Sequence, residues 1–379
     1  TKALEKHPLV QTVYKIECAP NEPEFFRAHG NQMLNQWRPP TLESVPGTFP
    51  SIRRVVDYLT MSDGTHDPEG ARWLLHWMAA KVQNPGHTRL TAPVFHGTPG
   101  SGKNTLLRPF MESLGMSNCA TVKQKDLESD FNAHFVNRLF VFADDCVPAG
   151  SLRSLSEQLK TYITGDTVFM NAKGVKQLEI TNRAAWLFTS NNENPLIVEK
   201  DDRRYTVFSN KLAITPEWRA FCRSLWVTGQ PNTPTEKFWG EMRAFKHYLE
   251  HLQVDWDFID LPYANVARAE IIEANLDSRD SFVREVDAVG FSAIAASAGV
   301  YVPPEQAKHD NGYLFSYMYR VYQKWSEHSG YKPVSKKFLG MKLRRVWERK
   351  ETPSVVYFPP DKPHTVPVNE RARESIARA

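Results

Sequence analysis

The chain has 379 residues, of which 41% are apolar and 24% charged, and its net charge is +4. That length suffices for two or three domains with a sizeable buried core, and the balance is that of an ordinary globular protein. No stretch of eighteen apolar residues lacks a charge, so no membrane-spanning helix and no membrane partner is expected.

Residues 1–50 are rich in Pro and Asn and read as an irregular lead-in, with Trp37-Arg38-Pro39-Pro40 as a stiff extended piece. A first helix is predicted over Ser51–Thr60. A second begins at Asp67-Pro68-Glu69, where an N-cap, a proline and an acidic first turn agree, and runs to about Gln83 before Asn84-Pro85-Gly86 stops it. From Thr91 to Asn210 short apolar runs alternate with helical patterns, as in a parallel α/β sheet. The strands expected there are Val94–His96, Leu139–Ala143, Ala185–Thr189 and one ending at Val207-Phe208. Between the second and third, two strand-like runs meet at Lys173-Gly174 and read as a hairpin with a basic tip. Residues 213–300 read as helical, with Trp218, Phe221, Leu225 and Trp226 as an apolar stripe. After Pro303-Pro304 come a long helix (Gly312–His328), a turn, a basic helix (Lys336–Trp347) and a strand (Ser354–Phe358). This is a winged-helix pattern, whose basic helix suits a groove or a phosphate backbone.

The charge is uneven. Residues 329–379 hold twelve Lys and Arg against five Asp and Glu, an excess of seven that leaves the rest of the chain at −3. A basic terminal module on a near-neutral body points toward nucleic acid. Cys18, Cys119, Cys146 and Cys222 stand singly, without C-x-x-C spacing, so free thiols in a reducing cytoplasm are expected and a zinc site is not. There is no secretory signal at the N-terminus. The chain starts at Thr1, and a fragment of a longer protein, or a processed form, is the expectation.

The most informative stretch is the turn Gly97-Thr98-Pro99-Gly100-Ser101-Gly102 followed by Lys103-Asn104-Thr105, between an apolar strand and a helix. Glycines let backbone N–H groups wrap a phosphate, the helix N-terminus adds positive dipole, and Lys103 reaches the outer phosphates. Asp144 and Asp145 end the apolar run Leu139–Ala143. Two adjacent carboxylates repel, and a divalent cation relieves that repulsion, so they are candidates for holding Mg²⁺ and polarising water. Asn191 ends another apolar run and can orient water without adding negative charge, although Ser190-Asn191-Asn192 also suits a plain turn. Arg203 and Arg204 follow Asp201-Asp202. They read either as transition-state cations or as partners of those acids. Lys173 and Lys176 on the hairpin, with Lys336 and Lys337 on the basic helix, are the candidate DNA contacts.

Phosphate turn, paired acids, basic hairpin, strand-end Asn and arginine occur in an order that resembles the superfamily 3 helicases of viruses and phages, a branch of the AAA+ ring ATPases. The wider chain resembles the helicase half of phage primase-polymerases of the deep-sea vent phage type, akin to the poxvirus primase-helicase. The residues carrying this are Asn35-x-Trp37-x-Pro39-Pro40, Asn84-Pro85-Gly86, the phosphate turn, Leu159-Lys160-x3-Thr164-Gly165, Asn171-x-Lys173-Gly174, Ser190-Asn191 and Arg203-Arg204. The resemblance implies an α/β P-loop fold with flanking helical segments and a C-terminal winged-helix-like module. Its parts would be a lead-in (1–50), a collar-like helical region (51–92), an ATPase core (93–212), a helical region (213–300) and the basic module (301–379). It further implies a phage-encoded, cytoplasmic, ATP- and Mg²⁺-dependent motor that encloses single-stranded DNA in a homo-oligomeric ring, a hexamer, with a primase or polymerase domain upstream. Gly97, Gly100, Gly102 and Lys103 would bind phosphates, Asp144 and Asp145 would serve Mg²⁺ and water, and Asn191 would sense the γ-phosphate. Lys173 would touch DNA in the channel, and Arg203 or Arg204 would act on a neighbouring subunit. One departure stands out: Asn104 occupies the position usually held by a Ser or Thr metal ligand, which leaves that role open between Asn104 and Thr105. A DNA-dependent ATPase that remodels replication proteins, and a DNA-binding module with a degenerate nucleotide site, are the alternatives.

Overall fold

The computed structural model describes residues 12–62, 64–88, 90–146, 152–174, 176–191, 198, 202–230, 232–274, 278–300, 307–309, 312–351 and 354–360. The chain divides into two compact units, Thr1–Asn275 and Leu276–Ala379.

The segment read as irregular carries three short strands, β1 (Lys15–Glu17), β2 (Phe25–Ala28) and β3 (Asn31–Asn35), in the order β1-β3-β2. Its apolar alternation is weak, and buried amides do the work that periodicity would otherwise signal. Asn35 accepts from the N–H groups of Ala19 and Trp37 and donates to the carbonyls of Ala19 and Glu22. Asn137, far along the chain, accepts from Cys18 N–H at 2.8 Å and donates to Ile16 O at 3.1 Å. Such amides satisfy backbone groups that a strand would otherwise have to pair.

Five strands form the main sheet: β4 (Ala92–Gly97), β5 (Cys119–Val122), β6 (Phe140–Ala143), β9 (Ala185–Ser190) and β10 (Tyr205–Asn210). The antiparallel hairpin β7 (Thr167–Met170) and β8 (Leu178–Thr181) is separate. The sheet order is β10-β4-β9-β6-β5, and every pairing is parallel. Parallel sheets are covered on both faces, which is why these strands read as nearly continuous apolar runs. One face places Phe95, Phe140, Phe142, Leu187 and Phe208 in a core with Trp73, Trp77 and Phe110. The other packs Val94, Val141, Trp186, Phe188 and Val207 with Phe135 and Tyr162. Only β5 escapes a pattern reading, since its four residues include the polar Thr121 and a half-buried Ala120.

The helix Pro68–Gln83 forms as its sequence predicts: Asp67 caps it by accepting from Gly70 N–H at 2.8 Å, and Pro68 opens it. The helix Pro50–Leu59 has no cap of its own. The buried Glu241, on the helix Glu236–His251, supplies one by accepting from Ser51 N–H at 2.7 Å and from Ser51 Oγ at 2.8 Å. At the stop Asn84-Pro85-Gly86 the buried Lys81 donates to the carbonyls of Pro85, His87 and Arg183 at 2.7, 3.1 and 2.6 Å, tying the helix end to the loop before β9.

The second unit begins within the stretch read from sequence as one helical region. Phe282 and Val286 of the helix Ser278–Val289 pack on Tyr322 and Trp325 of the helix Phe315–His328, so residues from 278 onward join the C-terminal part. Strands β11 (Lys308–His309), β12 (Gly312–Leu314), β13 (Glu348–Lys350) and β14 (Val356–Phe358) form an antiparallel sheet in the order β11-β12-β14-β13. The basic helix Lys336–Val346 runs directly into the β13–β14 hairpin, the helix-then-wing succession predicted from the sequence. Among the described residues no helix is long and apolar enough to cross a membrane.

Candidate functional site

In open parallel sheets, ligands bind beyond the carboxyl ends of the strands. Three adjacent strands, β4, β9 and β6, end together here: Val94 is level with Phe188, which is level with Ala143. Their next residues are the glycine turn, Asn191 and the Asp144-Asp145 pair.

The turn is shaped by its glycines. Gly97 has φ +136°, and a Cβ there would lie 2.6 Å from the carbonyl of Asn210. Gly102 is left-handed at φ 98° and precedes the helix Lys103–Leu114, whose first N–H groups receive no side-chain cap. Uncapped N–H groups at a helix start are anion donors. Trp218 braces the turn by donating from Nε1 to Ser101 O at 3.2 Å. Ser101 is buried, whereas Thr98 is half-buried and Pro99 and Gly100 stand exposed on the outer rim.

Lys103 is half-buried and donates to Gly97 O at 3.0 Å and to Asn191 Oδ1 at 2.9 Å. Burial pulls its ammonium below the ordinary lysine range, while the nearby Asp145 and Asp144 carboxylates push it back up. Asn191 in turn faces Asp145 Oδ1 with its backbone N–H at 3.3 Å and its side-chain Nδ2 at 3.4 Å. Thr189 completes the set: its hydroxyl accepts from Asp145 N–H at 3.2 Å and donates to Asp144 Oδ1 at 3.4 Å. Asp145 has φ 52°, a left-handed conformation that side chains other than Gly seldom adopt. Asp144 is anchored differently, its N–H donating to Val122 O on β5 at 2.9 Å. Lys103, Asn191, Asp145, Thr189 and Asp144 are thus one connected polar group. Sequence reasoning missed Thr189, whose signal was present as a hydroxyl one residue from the end of a buried strand.

Asn104 is exposed and Thr105 buried. Both line, with Asp144, Arg223, Trp226 and Gln230, a cavity of about 820 Å³. That volume matches ordinary ligand sites. Arg223 had no signal in the sequence beyond its place at a helix end.

Arg203 and Arg204 lie elsewhere. β10 runs parallel to β4 with Tyr205 opposite Ala92 and Asn210 opposite Gly97, so both arginines sit at the end of the sheet away from the glycine turn. Arg204 is half-buried and pairs with the buried carboxylate of Asp202 at 3.1 Å, while its N–H donates to Asp202 Oδ1 at 2.7 Å. Arg203 is exposed. Asp201 and Asn192 fall outside the described residues.

Lys173 and Lys176 are both exposed, and Lys173-Gly174 forms the turn between β7 and β8, as expected. The turn end of this hairpin is pinned by Asn132, which accepts from Asn171 N–H at 2.7 Å and donates to Phe169 O at 2.9 Å. Lys336 and Lys337 are exposed on the basic helix of the second unit.

This geometry defines an α/β P-loop-type core, and comparison with known proteins agrees with it. A family of unknown function, DUF5906, matches residues 95–204, the stretch from the glycine turn to the paired arginines. The DNA primase-polymerase of Nitratiruptor phage NrS-1 is 24% identical over 271 residues, covering 70% of this chain and 35% of the relative. The chain therefore corresponds to about a third of that relative's length. Among solved structures, the apo C-terminal region of NrS-1 aligns with a TM-score of 0.65 at 17% identity, covering 90% of this chain and 84% of that one. A second apo form of the same region aligns at 0.64, covering 92% and 85%.

Proposed function

We propose that this chain is the ATP-hydrolysing part of a phage replication protein and that it moves on single-stranded DNA as a homo-oligomeric ring, in the manner of a superfamily 3 helicase. The observation that supports this best is the bonded chain Lys103–Asn191–Asp145 across three neighbouring strand ends. A phosphate lysine, a neutral amide and a carboxylate are the groups that a triphosphate and an attacking water require.

The first N–H groups of the helix Lys103–Leu114 and the turn at Gly97–Gly102 would cradle the inner phosphates. Lys103 would exchange the Gly97 and Asn191 oxygens for phosphate oxygens. Asn191, released from Lys103, would orient the water, and Asp145 would accept its proton. No cluster of three or more His, Cys, Asp or Glu able to cage a metal exists among the described residues. Mg²⁺ needs no such cage, because it binds through one or two carboxylates, phosphates and waters. Asp144, with Thr105 or Asn104 beside it on the cavity wall, would hold the ion, whose chemistry is to neutralise developing phosphate charge. Arg203 lies too far round the sheet to serve its own site, which suits action on a neighbouring subunit's nucleotide. The exposed Lys173 hairpin would contact the DNA backbone without reading sequence, so affinity should fall steeply with salt.

The decisive experiment is hydrolysis by Lys103→Ala. DNA-stimulated ATP turnover should fall by about 10²–10³-fold with the thermal melt unchanged. Full residual turnover would overturn the ATPase reading; turnover without strand displacement would favour the remodelling alternative.

A further inference from the structure

The second unit carries a groove of about 390 Å³ between the basic helix and the sheet, lined by Phe315, Lys336, Lys337, Met341, Arg344 and Tyr357. No acidic residue is among its walls. Lys336, Lys337 and Arg344 are exposed; Asp280 pairs with Lys342 of the same helix and Glu351 with Arg349, and the exposed Glu348 beyond the helix end does not line the groove. The floor is Gly340, buried in mid-helix. A glycine there costs about 1 kcal/mol relative to alanine in helix propensity. What it permits is close approach: an added Cβ would lie 3.0 Å from the Phe315 ring, and Gly340 O accepts from the Tyr357 hydroxyl at 3.3 Å. Lys336 Nζ stands 5.4 Å from the Phe315 ring centroid, a cation over an aromatic face. On the flank of the same helix, Phe338 and Met341 are 52% and 45% exposed.

Cations alone would suit any polyanion. Cations interleaved with exposed Phe338, Met341 and a half-open Phe315 suit one whose bases are unpaired, because stacking needs a free base face and a duplex hides it. We propose that this groove binds single-stranded DNA independently of sequence, with Lys336, Lys337 and Arg344 on phosphates and Met341 and Phe338 against bases. The assignment does not depend on ATP hydrolysis, and it is separable from the Lys173 hairpin.

The test titrates the full chain, without nucleotide, against a labelled oligothymidylate and a duplex of equal length, following anisotropy at several salt concentrations. Lys337→Ala/Arg344→Ala should weaken single-strand binding about tenfold and flatten its salt dependence by one to two phosphate contacts. Phe338→Ala/Met341→Ala should weaken single-strand binding about tenfold and leave duplex binding unchanged. All four positions are exposed, so both variants should fold, and circular dichroism checks this. Unchanged single-strand affinity in both variants overturns the proposal, as does equal loss for duplex in the Phe338/Met341 variant. Displacement of the oligonucleotide by polyglutamate at matched charge overturns it in favour of an acidic peptide. Lys173→Ala/Lys176→Ala, run in parallel, separates the readings: loss there with none in the groove variants removes the groove and leaves the hairpin.

Discussion

Lys103 Nζ stands 2.9 Å from Oδ1 of Asn191, a residue 88 positions further along the chain. The bond ties Lys103, which opens the helix after β4, to the end of β9; on the proposed function, a triphosphate at Lys103 competes with Asn191 for the ammonium. On that reading, occupancy of the site would reach Asp145, the carboxylate that Asn191 contacts. Asn191→Ala removes that link and the water-orienting amide while leaving Lys103 in place. The expected outcome is nucleotide affinity within about threefold of wild type and a kcat lowered by about 10²-fold, read from steady-state hydrolysis and a separate binding titration. A pure KM effect would mean that Asn191 only shapes the pocket.

A pH dependence follows from the same trio. Lys103 must be protonated to hold phosphate. Its pKa is already drawn down by burial and is supported by Asp145 and Asp144. Asp145→Asn removes one supporting charge, so the lysine should lose its proton at a lower pH. Nucleotide affinity falls as pH rises through that pKa, and the alkaline limb of the binding curve should shift toward neutrality in the variant. A limb that stays in place would show that a group other than Lys103 governs it.

The two arginines should separate cleanly. Arg204→Ala leaves the buried Asp202 carboxylate without its ion-pair partner and should cost about 1–3 kcal/mol, visible as a Tm lowered by several degrees. Arg203→Ala touches nothing buried and should melt like wild type, yet lose most hydrolysis in the assembled state. Mixing Arg203→Ala with Lys103→Ala subunits should restore part of that activity, since some interfaces then join an intact Lys103 site to an intact Arg203. Absence of any recovery would argue against action between subunits.

Much of this core was legible because its signals are local. Gly97, Gly102 and Lys103 announce a turn that only one backbone path satisfies, and the runs at β6 and β9 are apolar because the sheet is covered on both sides. The paired acids could be placed at a strand end from that run alone. What was not legible depends on partners distant in sequence. The Glu241 cap on Ser51 spans 190 residues, and the Asn137 bond to Cys18 spans 119. The burial of Asp202, which commits Arg204 and leaves Arg203 exposed, is a property of the folded sheet edge. The strands of 15–35 were missed because side-chain amides, not alternating apolar residues, hold them.

Lys81 offers a stability test remote from the catalytic groups. Burial brings its pKa down to about 7, and its ammonium is held by three carbonyls. The unfolded chain has an ordinary lysine, with a pKa of about 10.4. Between those values the unfolded state binds the additional proton, so this residue makes the fold more stable as pH rises from about 7 toward 10. Lys81→Met removes the effect and leaves buried carbonyls unpaired, at about 1–3 kcal/mol. The gap in Tm between wild type and variant should therefore widen from pH 7 to pH 9.5, a difference that cancels the titration of the buried cysteines common to both. A gap that stays constant with pH would mean that the three carbonyls keep Lys81 charged throughout.

The hairpin prediction isolates mechanical coupling from chemistry. Lys173 sits in the turn joining β7 and β8, exposed, with its strands held by the register Thr167–Thr181 to Met170–Leu178 and by the Asn132–Asn171 bond at 2.7 Å. Truncating the lysine disturbs none of these, so Lys173→Ala should melt like wild type and keep its basal ATP hydrolysis. On the proposed function it would lose contact with the DNA backbone, so stimulation of hydrolysis by single strands and the rate of strand displacement should both drop, by about tenfold at moderate salt and less at low salt, where the remaining cations compensate. Asn132→Ala should give the complementary result: the lysine remains, but its hairpin loses the anchor beside its turn. Strand displacement should then fall while equilibrium affinity for DNA changes little, because a loosened hairpin still attracts phosphates but no longer transmits movement. If both variants displace strands at the wild-type rate, the hairpin has no part in translocation.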